Sequence, residues 1–379
     1  MPVLDKSRLK EHIVQLTRDL ILIESTDARP DERHRCFQLI LNHLEEIPGL
    51  TLRCLEKNGY ESLVVLPEGC RRPEILFCGH LDVVEHPESD SYRSEVRDGR
   101  IYGPGAGDMK GQLAILVQLM RHLWREHPGL PVGLAITSDE ERGGESGVKF
   151  LVEEAGIDAG VAVIPDGGSL TEIILEEKGI IHLRLRAGGT AAHAARPWLG
   201  ENALEQLIKD IDKVQRKIFQ PLAPDQVDPD DPSTHWHPTC TTTKMETPND
   251  SPNCIPELAE AVLDIRFVPP HTGESLLAAI REHLSPGVSA APIVIAEPTH
   301  LAPDDDFIEI TSAVTGEPAR LTRACGGSDG RFFFAKGIPV MLSRPNVGNL
   351  HGRDEWIEID SMVDYFEICR RYVIAKTGV

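Results

Sequence analysis

Histidine and carboxylate side chains occur at five separate places along the chain, each at the end of a short apolar or glycine-rich stretch. The residues are His80 with Asp82, Asp108, Asp139 to Glu141, Asp166 and His351. In open α/β sheets the carboxyl ends of parallel strands form the crevice where ligands bind, so residues that follow such strands can meet. Zinc accepts imidazole nitrogen and carboxylate oxygen, and in catalytic sites it leaves one position open for water. The distribution therefore predicts a hydrolytic metalloenzyme.

His80 and Asp82 form a His-x-Asp pair directly after the apolar stretch that ends at Cys78. Alternate residues of an extended chain point the same way, so both side chains can face one site. A metal-bound imidazole usually donates its second N–H to an acceptor, and Asp82 is well placed by sequence to be that acceptor. The alternative interpretation of this pair is a solvated turn.

Asp108 lies in the glycine-rich segment Tyr102–Gly111, immediately before a helical pattern. The glycines permit close approach of the backbone and a sharp entry into the helix. Asp108 is a candidate metal ligand, and the alternative is an ordinary helix N-cap.

Asp139, Glu140 and Glu141 are consecutive carboxylates at the end of an apolar stretch. Adjacent carboxylates repel one another, so a dry site needs a cation to hold them. One glutamate can then bind metal while its neighbour stays free as a general base. An acidic surface turn is the alternative. Asp166 and His351 are each weak candidates alone, and the metal hypothesis depends on all five places together.

The composition excludes several classes of function. A chain of 379 residues favours about two domains. Lys plus Arg total 39 against 60 for Asp plus Glu, a formal charge of −21, which argues against nucleic acid or an anionic membrane as a partner. There is no run of 18 apolar residues, and the first residues lack the apolar stretch of a signal peptide. Eight dispersed cysteines without a Cys-x-x-Cys pair indicate reduced thiols and a cytoplasmic protein.

Hydrophobic periodicity predicts an α/β fold with a mostly parallel sheet and helices on both faces. Helices are predicted at 9–23, 33–46, 112–125 and 148–154, and strands at 51–55, 62–66, 74–78, 132–137 and 162–164.

The pattern changes near Gly179, where residues 180–186 alternate with a period of two, as a half-exposed strand does. A smaller α+β domain is predicted from there, with helices at 202–219 and 274–284, strands at 239–245 and 259–267, and a Pro/Asp-rich loop at 220–232. A strand at 339–342 and a helix from Ser361 then close the first domain. The predicted division is 1–178 and 298–379 for the metal-binding domain, and 179–297 for the inserted one.

Several segments, taken together and in order, resemble the family of co-catalytic zinc hydrolases that includes acetylornithine deacetylase, succinyl-diaminopimelate desuccinylase, aminoacylase and glutamate carboxypeptidase. The matching segments are 79–84, 102–111, 138–141, 192–197, 200–203, 253–256, 264–266, 326–332 and His351. This resemblance implies a zinc-binding domain interrupted by a lid and dimerisation domain, and a homodimer formed through that lid.

The resemblance also implies roles for individual residues. It implies two zinc ions, with cobalt or manganese as substitutes that fit the same ligands. His80 and Asp166 would hold one ion and Glu141 and His351 the other, with Asp108 bridging them. Asp82 would orient His80, Glu140 would be the general base, and His193 would reach the developing oxyanion from the lid. Similar proteins have a cis peptide bond after the bridging aspartate. The implied substrate-binding residues are Arg266, Asn253, Gly327 and Ser328; without the resemblance, Arg266 is better explained as an exposed ion pair.

The implied reaction is metal-dependent hydrolysis of the amide bond of a small N-acyl amino acid, with Glu140 taking the proton of the attacking water. Asp166 departs from the glutamate that the two named deacylases commonly have at this position and resembles the aminoacylase and peptidase branches. The Ser328–Arg331 segment resembles the desuccinylase instead. A di- or tripeptidase or carboxypeptidase is therefore the alternative. Two further alternatives are an inactive metal-binding scaffold and a mononuclear metal-binding regulator.

Overall fold

The computed structural model describes residues 5–86, 92–222, 226–228 and 232–379. The chain divides into two compact units. The first unit contains Met1–Leu175, His300–Thr322 and Ser328–Val379, and the second contains Glu176–Thr299 and Arg323–Gly327. Part of the predicted Pro/Asp-rich loop lies outside the described residues.

The helices of the described residues are as follows: α1 (Lys6–Ile21), α2 (Pro30–Leu44), α3 (Gly111–Glu126), α4 (Val148–Glu153), α5 (Ala203–Val214), α6 (Gly273–His283), α7 (Asp305–Thr315), α8 (Gly330–Ala335) and α9 (Ile359–Thr377). The strands are β1 (Leu50–Lys57), β2 (Tyr60–Pro67), β3 (Ile75–His80), β4 (Glu95–Arg97), β5 (Arg100–Tyr102), β6 (Val132–Thr137), β7 (Val161–Ile164), β8 (Glu172–Glu177), β9 (Gly179–Gly188), β10 (Thr239–Glu246), β11 (Leu258–Phe267), β12 (Val288–Ala296), β13 (Thr299–His300), β14 (Arg320–Ala324), β15 (Val340–Leu342), β16 (Val347–Gly348) and β17 (Trp356–Glu358).

A six-stranded sheet with the order β1-β2-β6-β3-β7-β15 forms the centre of the first unit. β3 pairs in parallel with both β6 and β7, and β15 pairs in parallel with β7. The antiparallel hairpin β1–β2 lies at one side, closed by Asn58 and Gly59 with positive φ angles of 53° and 82°. Two such residues make the tight turn whose twist suits a hairpin. The predicted α/β class and the mostly parallel sheet are confirmed.

The first ten residues of helix α3 are buried on all sides, since every residue from Gly111 to Met120 is buried. The reason is that α1 and α9 both pack against α3. A helix in such an interior position is buried on most of its surface. α3 begins at Gly111, directly after the glycine-rich segment that contains Asp108.

A small sheet with the order β16-β17-β5-β4 was not predicted. Its strands have only two or three residues, too few to show a period of two. It matters because β5 leads into the segment that contains Asp108, and β17 follows the segment that contains His351.

The second unit contains a four-stranded antiparallel sheet with the order β10-β11-β9-β12. β11 alternates strictly between buried and half-buried residues, because one face packs against α5 and α6 while the other stays accessible. Strand β12 was missed, since Pro292 interrupts its pattern and its register shifts there. Proline is tolerated at this position because β12 is an edge strand.

Strands β8 and β14 and helix α7 were also not predicted individually. All eight cysteines lie in the described residues, and none of them is paired in a disulfide. Within the same residues, no helix has the length and apolar character needed to cross a membrane.

Candidate metal centre

Three ligand-bearing segments meet because they follow neighbouring parallel strands. His80 is the last residue of β3, Glu140 and Glu141 follow β6, and Asp166 follows β7. The carboxyl ends of these strands share one edge of the sheet, as the sequence-based argument requires. One potential ligand atom from each of His80, Glu140 and Asp166 lies within 4.8 Å of those of the other two.

Asp108 lies between two histidines. Its Oδ1 is 3.1 Å from Nε2 of His80, and its Oδ2 is 3.2 Å from Nε2 of His351. Asp108, Glu141 and His351 form a second group of ligand atoms within 4.8 Å of one another. The two carboxylate oxygens of Asp108 thus face two different histidines, which is the arrangement that a bridging ligand needs.

Asp82 connects the strand of His80 to the segment of the two glutamates. Its carboxylate accepts hydrogen bonds from the backbone N–H groups of Glu140 at 3.3 Å and of Glu141 at 3.0 Å. Nδ1 of His80 lies 3.1 Å from the Asp82 carbonyl oxygen and 3.5 Å from Oδ1. Because both His80 and Asp82 are almost completely buried, the alternative of a solvated turn is wrong.

The backbone around Asp108 excludes the helix-cap interpretation. The Asp108–Met109 peptide bond is cis, as expected from the resemblance, and the φ and ψ angles of Asp108 are −146° and 91°. α3 begins only at Gly111, and no side chain caps it. His351 has a φ of 59°, a region that non-glycine residues seldom occupy and that is often found at functional sites.

The buried carboxylates shift one another's proton affinity. Burial, with the negative charge of Asp108, raises the pKa of Asp166 to about 8. Burial also raises the pKa of Glu140 well above its usual value. Burial would raise the pKa of Asp108 too, but the hydrogen bonds to His351 and His80 hold it well below its usual range. Asp139 is buried, and Glu140 and Glu141 are largely buried. Residues 139–141 therefore do not form an acidic surface turn.

Both histidines gain proton affinity from the carboxylates. The carboxylates of Asp108 and Glu141, each 3.2 Å from its Nε2, raise the pKa of His351 to about 10. Burial alone would lower the pKa of His80, but the hydrogen bonds to Asp108 and Asp82 raise it well above its usual value.

The donor set fits metal ions. Oε1 of Glu141 is buried and 3.2 Å from Nε2 of His351, yet it makes no hydrogen bond of acceptable geometry. Coordination of a metal ion requires donor atoms that converge on one point and do not pair with each other. Imidazole and carboxylate donors suit zinc, and also cobalt and manganese.

Three residues near the site were missed from the sequence. Arg344 has Nη1 3.7 Å from Oδ1 of Asp166. Asp329 is buried, its Oδ1 has no hydrogen-bond partner, and burial raises its pKa to about 7. Glu355 accepts hydrogen bonds from the backbone of the Asp108 segment. None of the three was assigned a role from the sequence, although Asp329 lies in the 326–332 segment that carries part of the family resemblance.

The implied substrate-side residues are distributed over both units. His193 and Asn253 are exposed neighbours in the second unit: His193 forms a β-bridge with Cys254, and the Ala194 N–H donates to the Asn253 carbonyl at 2.8 Å. Arg266 lies on β11 in the second unit, which also contains Gly327, whereas Ser328 is buried in the first unit.

Arg266 forms an ion pair, as the alternative interpretation expected. Its Nε and Nη2 donate to the Asp264 carboxylate at 2.7 Å and 3.0 Å. The pair is only about one-quarter exposed, so it is half-buried rather than a surface pair. His182 on β9 contacts the same carboxylate at 3.1 Å.

Comparisons with known proteins identify the family to which this chain is similar. The sequence matches peptidase family M20/M25/M40 over residues 76–375. The chain is similar to the succinyl-diaminopimelate desuccinylase of Acidiphilium cryptum, with 28% identity over 380 residues that cover 94% of this chain and 96% of that protein. In structure it is similar to the M20 family metallo-carboxypeptidase Sso-CP2 from Sulfolobus solfataricus, with a TM-score of 0.77, 18% identity and coverage of 97% and 99% of the two chains.

A second similar structure is the Bacillus subtilis YXEP protein, a dinuclear metal binding peptidase from the M20 family, with a TM-score of 0.66, 11% identity and coverage of 98% and 99%. Because the family match extends over most of the chain, this protein belongs to peptidase family M20/M25/M40 and is a metal-binding hydrolase.

Proposed function

We propose that the enzyme hydrolyses the amide bond of a small N-acyl amino acid at a site for two zinc ions. His80 and Asp166 would hold one ion, and Glu141 and His351 would hold the other. Asp108 would bind both ions. The observation that carries this proposal is the position of Asp108, whose two oxygens lie 3.1 Å and 3.2 Å from the two histidines. Cobalt or manganese would fit the same donors.

Zinc bound at such a site lowers the pKa of water to about 7 and polarises the carbonyl that is attacked. The remaining tasks belong to side chains of this chain. A base must take the proton of the attacking water, a donor must stabilise the oxyanion, and a cation must select the substrate.

Glu140 is the proposed base. It follows β6 next to Glu141, and its ligand atom lies within 4.8 Å of those of His80 and Asp166. Burial raises the pKa of its carboxyl, which favours a group that takes a proton and returns it. Glu140 would accept the proton of the attacking water and then deliver it to the leaving amine.

His193 is the proposed donor to the oxyanion that forms on the attacked carbonyl. It is exposed on the second unit, and within the described part of the chain its Nδ1 accepts a hydrogen bond from the Ala195 N–H at 3.1 Å. We propose a homodimer through the second unit, so His193 is supplied either by the same or by the second subunit.

Arg266 is the proposed partner of the substrate carboxylate, with Asn253, Gly327 and Ser328 as further substrate-binding residues. The Asp264 carboxylate uses Nε and Nη2 of Arg266 and holds the guanidinium in one orientation. Nη1 has no hydrogen bond within the described residues, so it is free for an anionic group. A guanidinium held in this way suits a planar carboxylate.

The similarity to a desuccinylase favours an N-acyl amino acid, while the similarity to a metallo-carboxypeptidase favours a peptide. Both reactions break an amide bond next to a carboxylate-bearing residue. The relatives by sequence are named for the deacylase, which is why we place deacylation first. We also propose that the enzyme acts in the cytoplasm.

The test is a substrate panel on enzyme reconstituted with zinc. N-acetyl and N-succinyl amino acids are assayed beside di- and tripeptides under one set of conditions. A kcat/KM at least tenfold higher for one acyl amino acid than for any peptide supports the proposal. Preference for peptides would replace it with the peptidase. No turnover of either class, with both ions bound, would favour a metal-binding scaffold.

A further inference from the structure

Glu355 is a buried carboxylate that contacts the metal-ligand segment without being a ligand. It is 1% exposed and directly precedes β17. Its Oε1 accepts hydrogen bonds from the backbone N–H groups of Gly107 at 2.7 Å and of Asp108 at 2.9 Å. It belongs to neither group of converging ligand atoms.

The two N–H groups need such an acceptor because the Asp108 segment is not a regular helix. Asp108 and Met109 have non-helical φ and ψ angles. A buried backbone N–H without a partner costs free energy, and here one carboxylate oxygen satisfies two of them. The hydrogen bond to Asp108 fixes the backbone directly at the residue whose side chain lies between the two histidines.

The backbone around Glu355 makes the same connection. The Gly103 N–H donates to the Glu355 carbonyl oxygen at 3.0 Å, and Trp356 pairs with Tyr102 in the small sheet. Glu355 therefore joins the segment of Asp108 to the segment that contains His351, four residues earlier in the chain.

The packing leaves little freedom between these segments. A Cβ atom added to Gly107 would come within 2.9 Å of side-chain atoms of both Leu350 and Val347, and within 3.1 Å of the Trp356 carbonyl oxygen. Gly107 is thus in close contact with the chain on both sides of His351. A change in the Glu355 hydrogen bonds would shift the position of Asp108 relative to His351.

We propose that Glu355 is a positioning residue that sets the metal affinity of the site by holding Asp108 between the two ions. The inference depends on the proposed dinuclear site. Glu355 would act through its hydrogen bonds to two backbone N–H groups and would bind neither metal nor substrate. A residue that orients a metal ligand in this way typically changes metal affinity by about 10- to 100-fold when it is replaced.

The experiment measures zinc affinity of metal-free protein by competition with a chromophoric chelator. Glu355→Ala removes the hydrogen-bond acceptor. Glu355→Asp keeps the carboxylate on a side chain that is shorter by one methylene group. Glu355→Gln keeps an acceptor oxygen on a side chain of the same length. The control is Asp354→Asn, which changes the charge of an exposed neighbour. Thermal unfolding of each metal-free variant is recorded alongside.

We expect affinity to fall about 10- to 100-fold in Glu355→Ala and by a smaller factor in Glu355→Asp, while Glu355→Gln and the control stay within about threefold of the parent. If Glu355→Ala does not fold, the comparison of Glu355→Asp with Glu355→Gln decides. Parental affinity in Glu355→Ala and Glu355→Asp, with only lowered thermal stability, would overturn the inference and leave the dinuclear site intact. A parent enzyme that binds fewer than two ions would instead contradict the proposed function.

Discussion

Asp108 and His351 are 243 residues apart in sequence, and Oδ2 of Asp108 lies 3.2 Å from Nε2 of His351. The contact connects a segment that precedes α3 with a segment that precedes β17, and the small sheet holds the two segments together. With the other oxygen of Asp108 facing His80, the carboxylate is placed to join two ions into one centre.

Replacement of Glu140 distinguishes a base from a ligand. We expect Glu140→Gln to retain both metal ions and to lose about 100- to 10,000-fold in kcat, because the amide cannot accept the proton of the water. Metal content and kcat are measured on the same preparation. Glu153→Gln, an exposed glutamate on α4, is the matched control.

Loss of an ion from Glu140→Gln would show that Glu140 is a ligand. This outcome is worth testing because Glu140 lies close to His80 and Asp166. Turnover at the parental rate would show that another group is the base.

Replacement of His193 tests the oxyanion role. We expect His193→Ala to lower kcat about 100- to 1,000-fold without loss of metal, since the residue donates a hydrogen bond only as charge develops. His271→Ala, another exposed histidine of the second unit, is the control and should match the parent. Depleted metal in His193→Ala would contradict the assignment.

Mixing inactive variants shows which subunit supplies His193. If the residue acts across a dimer, random exchange of subunits between His193→Ala and Glu140→Gln should restore about a quarter of parental activity, because half of the dimers then contain one intact site of two. Activity that stays at the level of the separate variants would place His193 in its own subunit or exclude the dimer.

Replacement of Arg266 tests how the substrate is selected. We expect Arg266→Lys to reduce kcat/KM about 10- to 100-fold for a substrate with a free carboxylate, because lysine lacks the planar guanidinium that Asp264 can hold while Nη1 donates to the substrate. The same substrate with its carboxylate converted to a primary amide should show little difference between parent and variant. Equal losses for both substrates would mean that Arg266 supports the sheet through Asp264 and does not contact the carboxylate.

The pKa shifts predict that metal binding releases protons. The pKa of His351 is raised to about 10 by Asp108 and Glu141, and that of Asp166 to about 8 by burial and Asp108. At pH 7 both groups of the metal-free protein therefore hold a proton, whereas the metal binds the deprotonated forms. Apparent zinc affinity should thus rise as pH rises from about 6 to 8.

Calorimetric titration in buffers of different ionisation enthalpy measures these protons. We expect a net release of roughly one proton or more per protein at pH 7. A titration without net proton release would contradict the assignment of His351 and Asp166 as ligands.

The convergence of His80, Glu140, Glu141 and Asp166 could be predicted because each is the last residue of a strand or follows one closely, and the strands lie side by side in the sheet. The positions of His351 and Asp108 were harder to predict from the sequence. Both lie on loops attached to strands of two or three residues, which are too short to give a periodic signal.

Glu355 and Arg344 were missed for another reason. Glu355 accepts from backbone N–H groups that only the fold brings to it, and Arg344 reaches Asp166 across 178 positions of sequence. Strand β12 was missed because Pro292 interrupts its pattern. His193, Asn253 and Arg266 were predicted only through the family resemblance, since a single histidine, asparagine or arginine has no distinguishing pattern of its own.

Anomalous diffraction from crystals of zinc-reconstituted protein shows whether two ions share Asp108. We predict two anomalous peaks at the zinc edge, one beside His80 and Asp166 and one beside Glu141 and His351, with the carboxylate of Asp108 between them. A single peak, or peaks that do not contact Asp108, would contradict a shared dinuclear site.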